Sequence, residues 1–193
     1  MFEIPTSYEI GGIKYRIRND GDYRTILDCF AALSDEELTK EERLFASLII
    51  FYEDLNSLED INKFGSNVED AVRNMYNFFA CGSEASGGNS HKLIDWERDE
   101  QMICSAVNKV AGTEIRFAEY IHWWTFIGYY SAVGEGLLST VISIRSKMLS
   151  NKKLEKQEKE FKRDNPQYFV WNSKSVEQKE ADEYVRQIWN SEV

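Results

Sequence analysis

Between Tyr8 and Ile17 the apolar residues alternate on both sides of a glycine pair. Tyr8 and Ile10 precede Gly11-Gly12, and Ile13, Tyr15 and Ile17 come after it. Strict alternation places these side chains on one face of a strand, and glycine supplies the positive φ that a two-residue hairpin turn requires, so the segment predicts a β-hairpin. A lone hairpin is marginal in water, and its apolar face must pack on the rest of the chain. From Tyr23 onward the spacing becomes helical. Tyr23, Ile26, Leu27, Phe30 and Leu33 recur at three- and four-residue steps behind Asn19-Asp20-Gly21-Asp22, which can cap a helix start. A second helix opens at Ser34 or Thr39 and buries Leu44, Phe45, Leu48, Ile49 and Tyr52. Ser57 caps a short piece reaching Phe64, and Asn67 caps a helix carrying Val68, Ala71, Val72, Met75, Tyr76 and Phe79.

Residues 81–91, with Gly82, Gly87 and Gly88 among Ser, Asn and Ala, predict a flexible loop. Helical spacing resumes at Leu93 and runs through Trp96, Met102, Ile103, Ala106, Val107 and Val110 until Gly112. The stretch from Phe117 to Val133 is apolar almost all round, which predicts a central helix bounded by Gly134 and Gly136. A further helix runs from about Leu138 to Met148. Asn151 to Asp164 then mixes lysines and glutamates with only Leu154 and Phe161 apolar, the pattern of a solvated helix. Asn165-Pro166 breaks the chain, and Ser175 to Trp189 predicts a last amphipathic helix through Val176, Tyr184, Val185, Ile188 and Trp189. The fold class is therefore mainly α, a helical array with a short N-terminal β-hairpin. Residues 1–165 read as one domain and 166–193 as a C-terminal helical extension.

Composition sharpens this picture. A chain of 193 residues with 42% hydrophobic content can bury one core. The net charge of −10 opposes binding to nucleic acid and to anionic membranes. No basic leader and no membrane-length apolar run is present, so neither nucleic acid nor membrane is expected as a partner, and the cytoplasm is the expected location. Cys29, Cys81 and Cys104 sit in apolar helical patterns without metal-ligand spacing, and read as reduced core thiols.

The candidate chemistry is thin. Gly82 to Gly87 has the first spacing of a phosphate-binding loop, yet Gly88-Asn89 stands where lysine and a hydroxyl residue are needed. Asp95 and Asp99, with Glu100, could form an acid pair or hold a divalent cation, but carboxylates in a first helical turn commonly complement the macrodipole. Of the two histidines, His91 falls in the polar loop, and His122 between Ile121 and Trp123 reads as a hydrogen-bonded packing residue. No catalytic, cofactor or metal site is expected.

Two features point instead to partner contact. Tyr120, Trp123, Trp124, Phe126 and Tyr130 form an aromatic cluster wider than one buried stripe, and such residues anchor interfaces; enclosure by neighbouring helices is the competing reading. Between Arg145 and Asp164, eight basic and four acidic residues leave an excess of four positive charges, which marks Lys152, Lys153 and Lys156 as a weaker electrostatic group or a plain solvated face.

The hairpin Tyr8 to Ile17, the helix start around Asp95-Trp96, the His122-Trp123-Trp124 cluster with Phe126, and Ile144-Arg145-Ser146 followed by lysines give the chain a resemblance to a phage family. It resembles the tail assembly chaperones of long-tailed phages and prophages of Gram-positive bacteria over about Pro5 to Arg163; residues after Asn165 lie outside the pattern. The resemblance implies a non-enzymatic protein that binds the tape measure protein and helps tail tube protein polymerise around it without remaining in the virion. It also allows a homo-oligomer. A structural tail or connector component of the virion is the alternative.

Overall fold

The computed structural model describes residues 3–82 and 93–169. Most of the expected loop, His91, the expected last helix and the extension beyond Phe169 lie outside these residues. Among the described residues the protein is mainly helical, with seven α-helices and one two-stranded antiparallel sheet.

The hairpin forms where alternation predicts it. Strand β1 (Ser7–Ile10) pairs with β2 (Ile13–Arg16) in the register Tyr8 to Tyr15 and Ile10 to Ile13. Gly11 and Gly12 adopt φ of 59° and 78°, the left-handed pair that a primed turn demands. Tyr15 turns its ring onto Phe64 and Tyr52, at centroid distances of 4.8 and 6.1 Å, which anchors the hairpin to the helices.

Helix α1 (Tyr23–Ser34) starts at Asp22, whose carboxylate accepts the Arg24 amide. Helix α2 (Lys40–Phe51) starts in a complete capping box: Thr39 accepts the Glu42 amide and Glu42 accepts the Thr39 amide. The two helices pack on each other and bury Ile26, Cys29, Leu48 and Phe51 completely. At the end of α2, Arg18 donates to the carbonyls of Ile49, Ile50, Tyr52 and Leu55 over 2.7–3.1 Å. A run of 3-10 turns (Leu58–Asn67) leads to α3 (Val68–Phe79). Asn67 precedes α3 without capping it through its side chain, which instead donates to the Phe64 carbonyl.

Three helix starts differ from the sequence expectation, two of them before Ser139. Residues Trp96 to Asp99 form turns, and α4 (Glu100–Ala111) begins seven residues after Leu93. The Asp99 carboxylate accepts the Asp95 amide across this turn, a closure that competes with helix extension. Helix α5 (Trp123–Ser131) begins six residues after Phe117, and a 3-10 turn (Ile115–Phe117) takes the place of its expected first part. There Asp22 accepts the Ile121 amide, Ile121 accepts the Tyr23 amide, and His122 caps α5 by accepting the Trp124 amide. The helical bonding that periodicity suggested is replaced by bonds to a residue far away in sequence.

The chain divides into two compact units between Ser139 and Thr140, inside α6 (Leu137–Leu149). In the second unit, Arg145 donates twice to the Tyr168 carbonyl at 2.7 and 2.9 Å. There α7 (Lys156–Asp164) opens on a Glu155 and Glu158 capping box, and Lys147 pairs with Glu158 at 2.6 Å. The solvated helix expected over Asn151 to Asp164 thus begins only at Lys156, and it buries none of its residues. Among the described residues, no helix is long and apolar enough to cross a membrane.

Candidate partner-binding surface

The aromatic cluster of the first unit separates into enclosed and accessible rings. Trp123 is 1% exposed; its indole donates to the Phe79 carbonyl at 3.0 Å, and it packs against Phe30, Trp96 and Phe126. Phe126 is equally buried and stacks on Tyr23 at 4.7 Å with ring planes 5° apart. Both rings are therefore spent inside their own domain, and the expectation of partner contact at Trp123 and Phe126 gives way to a packing role. Trp124 is half-buried, its indole bonded to the Phe78 carbonyl at 2.9 Å. Tyr130 is half-buried against Trp96, and burial pushes its hydroxyl pKa up. Tyr120 alone of the five is exposed, with its hydroxyl held by the Asp20 carbonyl at 3.0 Å. Lys152, Lys153 and Lys156 are exposed in the second unit and form no ion pair with any described residue.

His122 is a buried packing residue, as its apolar flanks suggest. Its Nδ1 accepts the Trp124 amide, which leaves Nε2 to donate to the Pro5 carbonyl at 3.2 Å. Burial lowers its pKa, and the neutral ring suits both bonds. Cys29 and Cys104 are buried free thiols and Cys81 is half-buried. The Cys29 thiol is pushed up to about 12 by burial. Asp99 is buried with its carboxylate committed to the Asp95 amide, and Asp95 accepts the Arg98 amide. Among the described residues, no three His, Cys, Asp or Glu side chains converge as metal ligands.

The feature that periodicity missed lies just before α5. Phe117 is 88% exposed, the most exposed large apolar side chain among the described residues. Its turn is nonetheless held from several sides. Ile115 is fully buried beneath it, Glu114 accepts the Arg116 amide and pairs with its guanidinium at 2.8 Å, and Asn108 bonds both Glu114 and the Ile115 amide. The Arg116 guanidinium holds the Glu114 carboxyl down at about 2. From α1, Arg24 reaches across to the carbonyls of Ile115, Arg116 and Ala118, the last at 2.6 Å, while its other nitrogen grips Asp22. The one sequence signal for this site was Phe117 standing between charged Arg116 and Ala118-Glu119, a poor context for a buried helical face.

Beside this turn is a cavity of about 230 Å³. Leu27, Trp96, Ile103 and Phe126 provide its apolar lining, and the charged groups on it are Arg24, Asp28, Glu100 and Arg116. Asp28 and Glu100 are exposed and make no ion pair with the described residues. Partial shelter from water raises the Asp28 carboxyl. The buried Cys104 thiol also lines it, its pKa raised by burial. An apolar hollow beside a rigidly held turn that displays an aromatic ring is the composition of a protein-binding surface.

No curated protein and no solved structure matches this chain. The family model described as bacteriophage Gp15 protein matches residues 2–169, which take in the hairpin, the turns at Trp96, the His122-capped helix and the arginine of α6; the chain belongs to that family.

Proposed function

We propose that this phage protein is a non-enzymatic tail assembly chaperone that binds the tape measure protein, promotes tail tube polymerisation and leaves before the virion is complete. The family match over residues 2–169 carries the reading, because it covers the same ordered motifs that pointed to tail assembly. The surface supports it physically. A chaperone for a long amphipathic helical client needs apolar anchors that do not collapse onto its own core, and it needs net charge to keep the complex dissolved. Phe117 and Tyr120 provide exposed rings, the adjacent cavity accepts an apolar side chain, and the chain's charge of −10 provides the repulsion. Its place of action is the host cytoplasm.

Co-expression with the neighbouring tape measure protein tests the proposal. A soluble complex that co-elutes supports it, and a tape measure protein that stays insoluble and alone refutes it. Mass spectrometry of purified virions separates the chaperone from a structural tail or connector component, which would be present in stoichiometric amount.

A further inference from the structure

The cavity between α1, α4 and α5 has apolar walls and an acidic opening. Leu27, Trp96, Ile103 and Phe126 line the walls, and the hollow of about 230 Å³ falls below the roughly 300–1,000 Å³ of small-molecule sites, a volume suited to one side chain. The charged groups around it do not cancel. The Arg24 guanidinium is committed to Asp22 and to the carbonyls of Ile115, Arg116 and Ala118, and the Arg116 guanidinium to Glu114 and Gln101. Each arginine is thus neutralised by an acid of its own. Asp28 and Glu100 remain, both exposed and neither in an ion pair with a described residue, so the opening carries two uncompensated negative charges.

We propose that this cavity receives an arginine from the apolar face of a client helix, its stem against Leu27 and Ile103 and its guanidinium at Asp28 and Glu100. This rests on the chaperone reading for one point, that the partner is a helical polypeptide.

The walls and the opening together select that side chain. A wholly apolar residue fills the hollow but covers two carboxylates without compensating them, which costs free energy. Asp28 already shows the cost: partial shelter from water raises its carboxyl, and no neighbouring cation offsets the effect. An acidic residue is repelled. Lysine brings its charge as a compact, strongly hydrated ammonium. The planar guanidinium is more weakly hydrated, stacks on aromatic faces of the kind Trp96 and Phe126 supply, and can donate to two carboxylates at once. At longer range the chain's charge of −10 draws a basic segment in.

An NMR titration of the full chain both measures and locates the binding. The probe is an alanine-based helical peptide with one arginine between two leucines on its apolar face, and the control carries norleucine in place of the arginine. The arginine peptide is expected to bind at least about fivefold more tightly than the control, the scale of two partly exposed ion pairs, and to shift the methyl signals of Leu27 and Ile103. Asp28→Asn combined with Glu100→Gln removes that preference and leaves the circular dichroism spectrum unchanged, since both positions are exposed. Equal behaviour of the two peptides overturns the proposal. So does a preference that survives the double substitution, or an arginine peptide that leaves both methyl groups unmoved at about 1 mM. Free N-acetylarginine amide binding as tightly as the peptide overturns the assignment to a polypeptide partner. The tape measure protein takes no part in this titration, so failure here leaves the chaperone reading to its own co-elution test, and failure of that test leaves the peptide result standing.

Discussion

Replacing Arg18 with methionine tests whether one side chain closes the end of α2. A helix leaves its last carbonyls without internal partners, and in this protein they are met by a guanidinium that donates to Ile49, Ile50, Tyr52 and Leu55. A hydrogen bond to a charged group contributes a net ~1.5–3 kcal/mol. Four at the low end, the value suited to bonds that share one guanidinium, sum to about 6 kcal/mol. Freeing the long side chain returns about 2 kcal/mol of rotamer entropy, and water reaches part of the half-buried site. The expected loss for Arg18→Met is therefore about 3–4 kcal/mol, with methionine keeping most of the apolar contact. Lysine restores charge but not the planar fork, so Arg18→Lys regains only one or two of the bonds and loses about 2 kcal/mol. Urea titration followed by circular dichroism measures both. An Arg18→Met variant within about 1 kcal/mol of the parent, or a lysine variant as stable as the parent, would refute the reasoning.

Gly21→Ala should cost about 3 kcal/mol, because φ is 81° there and an added Cβ would lie 2.5 Å from Cζ of the buried Phe78; equal urea midpoints would contradict that clash. Trp123→Ala should lose about 3–5 kcal/mol while Phe117→Ala changes stability by less than about 0.5 kcal/mol, so a paired denaturation experiment separates the enclosed ring from the displayed one. His122 contributes a pH dependence with a definite sign. Its pKa is lowered in the folded protein, so its contribution is complete above the unfolded value near ~6.5 and declines as pH falls toward the folded value. His122→Asn keeps a cap acceptor without a titrating ring, and its stability should therefore fall less than the parent's between neutral pH and about pH 5. Identical slopes for the two would show that the ring does not titrate on unfolding.

The elements most legible in the sequence are those closed by near neighbours. The hairpin needs only Gly11-Gly12 and alternation, and α2 needs only Thr39 and Glu42 three residues apart. The misplaced starts of α4 and α5 have the opposite character. Periodicity shows that Phe117 to Val133 is apolar, but it cannot show that Asp22 will take the Ile121 amide from 99 residues away. The same limit hid the site. Arg24 reads as a polar position on α1, and its hold on the carbonyls of the Phe117 turn spans more than 90 residues. His122 was legible because its own flanks state its environment, whereas the separation of Trp123 from Tyr120 depends on which helices arrive around them.

Asp22 explains why an aromatic-rich segment yields both a core and a display. Its carboxylate caps α1, takes the Ile121 amide and pairs with Arg24, so one buried acid fixes the start of α1, the approach to α5 and the arginine that holds the intervening turn. With the approach to α5 fixed there, Trp123 and Phe126 face inward against Phe30 and Tyr23, and the preceding residues cannot continue as helix. Phe117 is left on a short turn whose inward position is already occupied by Ile115. The exposure of that ring thus results from the satisfaction of backbone groups around it. A side chain displayed by such constraints keeps its position when a partner is absent, which distinguishes a prepared contact from an apolar residue stranded on a mobile loop.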